Sequence, residues 1–268
     1  MASTAKRIVL ELLSATPNRE ASSATLVACG ELLGVSENNV RVTLARLVAA
    51  GTLDTSSRGT YRLAATAITR HVTAWRDLEK LVRRWDGAWA WVHVEPLVDR
   101  SAARRRQRAL ELLGFRPLAR GLEVRPDNLA GGVAALRDRL VALGLPRDAL
   151  VIRATELAPA TDARARTLWD AERLTASYVH TTERIERWLA NLEAEPRAAA
   201  REAFFFGGDV LRKIIFDPRL PEPLVDVAAR KTMLDAAARL DTIGRRLWER
   251  LFGVGRVLVD IEEARRVA

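Results

Sequence analysis

The sequence predicts an α+β protein in three parts: an N-terminal winged helix-turn-helix, a central ferredoxin-like βαββαβ domain and a C-terminal all-α domain. Three observations predict it. Apolar residues at helical spacing and a glycine-led turn fill the first fifty residues, and a glycine hairpin follows. Short strand-like runs alternate with helical ones between 86 and 158. Beyond 161 there is no strand signal, and aromatic residues recur along helix-like runs. The expected boundaries are 1–64, a linker helix at 65–85, 86–158 and 159–268.

In TAKRIVLELLSA (4–15), Ile8, Val9, Leu12 and Leu13 share one helical face, and Pro17 ends the helix. A second helix is expected at 24–33 with Leu26, Val27, Leu32 and Leu33 apolar. Gly34 then supplies the positive φ that a chain leaving a helix adopts without a Cβ clash. Ser36 is the expected N-cap of a third helix, its hydroxyl accepting a backbone N–H two or three residues on.

The stretch GVSENNVRVTLARLVAAG (34–51) carries the functional signal. At 100° per residue, Val40, Leu44, Leu47 and Val48 dock the helix, while Asn38, Asn39, Val42, Ala45 and Arg46 lie opposite, flanked by Arg41 and Thr43. Asparagine can bridge adenine N6 and N7, arginine can fork onto guanine O6 and N7, and a small apolar side chain can meet a thymine methyl. Short side chains between the longer ones let the helix sink into a major groove. GTLDTSSRGTYRLA (51–64) adds strands at 52–54 and 60–63 around Ser-Ser-Arg-Gly, a wing whose Arg58 would reach a phosphate or the minor groove. The plainer alternative is a winged helix used for protein contacts. Residues 1–62 hold seven basic and five acidic side chains, so affinity would lean on dimerisation.

The middle of the chain begins with a linker helix over 64–85 and the turn Asp86-Gly87. A strand follows at 88–94, with Trp89, Trp91 and His93 on one face. SAARRRQRALELL (101–113) is a basic helix, followed by strands at 115–118 and 121–125, a helix at 129–143 and a strand at 149–155. Both helices would cover one sheet face and leave the other for a partner. Arg104, Arg105, Arg106 and Arg108 are the densest positive cluster, either a solvated face or a phosphate contact. Helices are expected at 163–192, 197–215, 222–251 and 255–265, with Asp217-Pro218 setting a turn between two of them.

The 268 residues carry a formal net charge of +9, a balance that favours polyanionic partners. Only Lys6, Lys80, Lys213 and Lys231 are lysines. Arginine with abundant alanine is also the look of a GC-rich genome, so charge alone does not decide. Cys29 is the one cysteine, which excludes an internal disulfide and a cysteine-clustered zinc site. The three histidines have no ligand spacing, and neither metal nor cofactor is expected. Without a leader or a long apolar run, the expectation is a cytoplasmic protein with no membrane partner.

The segments NNVRVTLARLVAAG with GTYRLA, WDGAWAWVHVEP, LLGFRPLARGLEVRP and FDPRLP occur in this order along nearly the whole chain. That order resembles the PaaX family of transcriptional repressors of phenylacetate catabolism. The resemblance implies a homodimeric, non-enzymatic repressor of an aromatic or related catabolic operon. It would bind double-stranded operator DNA through Ser36, Asn38, Asn39, Arg41, Val42, Thr43, Arg46 and Arg58. It further implies a middle domain similar to the Cas2 nuclease, a helical domain for effector binding and dimerisation, and release from DNA by an acyl-CoA or aromatic CoA thioester. Arg104, Arg105, Arg108, Trp169, Phe205 and Arg212 are the candidates for that ligand. Two departures stand out: Glu123 where the family's strand carries an aromatic, and VDVAARKTM where a Trp-Pro-Gly is expected. The rival function is a metal-dependent nuclease using the central module. It needs gathered carboxylates, and the strand at 88–94 offers only Asp86 and Glu95 at opposite ends.

Overall fold

The computed structural model describes residues 4–16, 19–57, 59–64, 82–192 and 194–253. It is a mixed α+β protein with helical N- and C-terminal regions and antiparallel sheets between them. The chain forms two compact units, one from 1–73, 183–211 and 235–265, the other from 74–182, 212–234 and 266–268.

In the first unit, α1 (Thr4–Ala15), α2 (Ser23–Leu32) and α3 (Glu37–Ala49) pack through the stripes the spacing predicts. Ile8, Val9, Leu13, Leu26, Val40 and Leu44 are all buried. Each such side chain contributes about 1.5–3 kcal/mol on leaving water. Residues Ala200, Phe204 and Trp248 join this core from far along the chain. Trp248 Nε1 donates to the Ala200 carbonyl at 2.8 Å, so the indole is buried without an orphaned donor.

The α2–α3 turn is a Schellman motif: Val35 N–H donates to Gly30 O at 2.8 Å, and Gly34 N–H to Glu31 O at 3.0 Å. Gly34 sits at φ +82°, as its position after the helix predicts. Gly30 has a second reason to be glycine. A Cβ there would lie 2.6 Å from Val40 Cγ2, so α3 rests directly on the α2 backbone.

The hairpin β2 (Leu53–Ser57) and β3 (Thr60–Leu63) turns at Gly59, φ +80°. An unexpected strand, β1 (Glu20–Ser22), pairs with β3 to give the order β1-β3-β2. Three residues without alternation carry no strand signal; their partner defines them. Ser22 also caps α2, accepting from Thr25 N–H at 3.0 Å.

Of the expected linker helix, residues 65–81 fall outside the described ones. Residues 82–85 are not helical: Val82 forms a bridge with Leu129, and Arg83 donates to Asp127 at 2.8 Å. The second unit then runs β4 (Trp89–His93), α4 (Arg100–Leu112), β5 (Arg116–Ala119), β6 (Leu122–Pro126), α5 (Gly132–Leu143) and β7 (Val151–Ala154). Its sheet order is β5-β6-β4-β7, antiparallel throughout. Ala90 and Val92 face Leu110, Leu113, Leu136 and Leu140 of the two helices.

The opposite face, expected to await a partner, is covered within the chain at its Trp89 end. Trp89 stacks on Trp169 at 6.1 Å and donates to Asp162 of α6 (Pro159–Arg166) at 2.9 Å. Trp169 donates in turn to Gly114 O at 3.2 Å. This anchoring breaks the helix expected at 163–192, and Asp170 starts α7 (Ala171–Ala190) by accepting from Arg173 N–H at 2.9 Å. α8 (Pro196–Ile215) and α9 (Val227–Phe252) follow, with the stretch expected to be helical at 255–265 outside the described residues. The Asp217-Pro218 turn forms as predicted, Asp217 accepting from Arg219 N–H at 2.6 Å.

Candidate nucleic-acid interface

α3 presents the site. Its inner face is fixed by Val40, Leu44 and Leu47, and by the close seat on Gly30. Asn38, Asn39, Arg41, Val42, Ala45 and Arg46 are all exposed on the other side. Val42 keeps 40% of its surface in water, an apolar side chain that the core leaves out. The helix is therefore a rigid rod with an amide, guanidinium and methyl surface directed outward.

Three details differ from expectation. Thr43 is 8% exposed and belongs to the inner face, because it lies only about 60° around the helix from Val40. Ser36 occupies the N-cap position with φ −64° and ψ 151°, but its hydroxyl makes no capping bond. Arg41 is tied to Glu37, its Nε donating to Oε1 at 2.7 Å. An exposed i,i+4 pair of this kind is worth only about 0.3–0.5 kcal/mol, so Arg41 exchanges easily for a phosphate.

Arg58 lies outside the described residues. Beside its position, Thr55, Ser56 and Ser57 are exposed along β2, and Ser56 Oγ donates to Glu20 Oε1 at 2.8 Å. Arg62 projects from β3 into solvent, cross-strand from Glu20 and Asp54. The alternation of TYRL, with Leu63 turned inward, would have singled out this cation.

Of the six effector candidates, Phe205 belongs to the first unit and the other five to the second. Arg104 is exposed, Arg105 donates to Ser101 Oγ at 2.8 Å, and Arg108 lies over the Phe216 ring at 5.1 Å. Trp169 is buried against Trp89, and Arg212 stands near the end of α8. Glu123 is 8% exposed with Oε2 unpartnered. Burial pushes its carboxyl above the usual range, partly opposed by Arg116 and Arg106.

The nuclease alternative needs carboxylates gathered around a metal ion. Among the described residues no three of His, Cys, Asp and Glu gather as a metal site. Asp86 and Asp127 are both held by Arg153. No helix among the described residues is long and apolar enough to cross a membrane.

Residues 5–67 match the family described as PaaX-like protein, and 169–250 match the PaaX-like protein C-terminal domain. Among solved structures, the chain is similar to an uncharacterized protein from Mycobacterium tuberculosis, with 24% identity and a TM-score of 0.57. That match covers 88% of this chain and 95% of the other, and at this identity it speaks to the fold alone. No curated protein matches the chain.

Proposed function

Since the chain belongs to the PaaX-like protein family, whose members are transcription regulators and not enzymes, we propose that it is a homodimeric operator-binding repressor. The first unit's α2-turn-α3 and hairpin read as a winged helix-turn-helix, and the β5-β6-β4-β7 sheet with its two helices reads as a ferredoxin-like, Cas2-like module. On this reading, 1–64 holds DNA, 65–85 links, 86–158 is the central module, and 159–268 serves the effector and the dimer.

The carrying observation is the outward surface of α3, where Asn38, Asn39, Val42 and Arg46 stand exposed on a helix anchored from behind. Those side chains read base edges. Ser36, Arg41 and the wing hold phosphates, which position the protein without specifying sequence. Two such helices related by a dimer axis fit successive major grooves about 34 Å apart. A local net charge of +2 over 1–62 makes one reading head weak, and two heads on one site compensate. An acyl-CoA-type effector would release DNA by preferring a dimer geometry in which the two heads miss their grooves. The nuclease alternative is not favoured.

The test is a mobility-shift titration of the purified protein on its own upstream promoter, with and without a panel of CoA thioesters. A sequence-selective shift that a thioester reverses is the expected result. Equal binding to unrelated DNA would overturn the operator proposal.

A further inference from the structure

We infer that α4 is a second DNA-binding element, a row of arginines that holds the phosphate backbone of the DNA bound through α3. The inference rests on the operator-binding reading and adds the element that supplies its electrostatic attraction. Residues 1–62 carry a net charge of only +2, little for a contact whose affinity comes largely from neutralised phosphates. α4, in the second unit, sets five arginines (Arg100, Arg104, Arg105, Arg106 and Arg108) against the single acid Glu111 within thirteen residues. Exposed arginines occur along the whole chain, and density is what marks this helix. α7 is longer and matches three arginines with three glutamates, and α3 has two arginines and one glutamate. No other described helix has so large an excess of positive charge.

Placement matters as much as number. Ala109, Leu110 and Leu113 are buried beneath the helix, and Asp99 caps it by accepting from Ser101 N–H at 2.8 Å. Arg100, Arg104 and Arg108 stand exposed on the opposite side, four residues apart. Successive cations are therefore offset by about 6 Å along the helix axis. The row spans about 12 Å, more than a single phosphate group occupies. It suits a polymer that carries one charge per ~1.7 Å of its axis. Arg105 and Arg106 are already engaged, donating to Ser101 Oγ at 2.8 Å and to the Glu95 carbonyl at 2.5 Å. Among the described residues no carboxylate pairs with Arg100, Arg104 or Arg108, and Glu111 accepts from Gln107 at 3.2 Å. Arg108 lies over the Phe216 ring at 5.1 Å, which holds the guanidinium by its face and leaves in-plane N–H donors for phosphate oxygens. Contacts of this kind add affinity without reading sequence.

The test measures binding of the full chain to its upstream promoter and to an unrelated duplex over a series of salt concentrations. Arg100→Gln, Arg104→Gln and Arg108→Gln combined remove three phosphate contacts. The slope of log affinity against log salt is then expected to become shallower by about 2–3. The ratio of promoter to unrelated affinity is expected to change by less than about twofold. Arg164, Arg173 and Arg187 are exposed arginines of α6 and α7, and their combined change to Gln controls for charge alone. That control is expected to leave the slope within about 0.5 of the unaltered chain. Arg104→Gln by itself is expected to lower the slope by about 0.9, and it carries the test where thermal melting shows the triple variant unfolded. An unchanged slope in the α4 variants, an equal change in the control, or a lost promoter preference would each overturn the inference and leave operator binding standing. Failure of the unaltered chain to bind DNA at any salt would overturn the operator reading, and this inference with it.

Discussion

Arg46 has two kinds of neighbour: a buried stripe behind it and exposed short side chains beside it. Its guanidinium is exposed at the far end of a fixed rod. On the proposed reading, removing it takes away a fork onto a base pair and leaves the helix seat untouched. Arg46→Ala is expected to cost about 1–3 kcal/mol at one operator position and little elsewhere, as measured by titrating single-base operator variants. Uniform weakening across sequences would reassign Arg46 to a phosphate. Glu123 poses the opposite problem, a carboxyl carried into the protein with an unpartnered oxygen. Burial raises its folded pKa, so folding favours the protonated acid. Its contribution is full below the unfolded carboxyl range and is lost as pH rises through the raised value. Glu123→Gln is therefore expected to raise the melting temperature at pH 8 and to change it little at pH 4; an equal effect at both would show that charge is irrelevant there.

The turn between α2 and α3 places the whole exposed face of α3. Gly34 supplies the left-handed residue, and Gly30 lets α3 approach until Val40 touches the α2 backbone. Adding a methyl at Gly30 meets Val40 Cγ2 at 2.6 Å, which forces α3 outward or sideways. Gly30→Ala is expected to cost about 1–3 kcal/mol in urea unfolding. The pair Gly30→Ala with Val40→Ala is expected to regain part of that loss, because the clashing methyl is gone. No recovery in the double variant would place the strain elsewhere. Cys29, one position earlier on the same helix, is enclosed by the core, and burial pushes its thiol up to about 12. It is expected to ignore an aromatic disulfide reagent at pH 8 until the protein unfolds. Because the unfolded thiol ionises near 9.0 and the folded one near 12, stability from this group falls as pH climbs between those values.

At the scale of the molecule, the N-terminal helices do not close their own core. Phe204 and Trp248 complete it, and Trp248 is 1% exposed. Trp248→Ala is expected to cost about 3–5 kcal/mol. An isolated 1–64 fragment is expected to melt well below the full chain in circular dichroism, and a fragment melting with the full chain would mean that the long-range contacts add nothing. The same arrangement gives α8 and α9 a share in the packing of the N-terminal helices.

The sequence by itself determined the three N-terminal helices, the hairpin and the outward surface of α3. Helical spacing in 4–15 and 36–50, glycine at 34 and 59, and alternation at 60–63 are local patterns, and their consequences are local too. A residue 100° from its neighbour points elsewhere whatever surrounds it. Family membership was legible for the same reason, since short ordered motifs survive in the linear string. Tertiary structure alone decided three things: β1, which exists only through its partner β3; the break at Trp169; and the meeting of Arg184 and Arg187 with Arg201. Each depends on contacts between residues distant along the chain, and burial against a distant partner leaves no period to read.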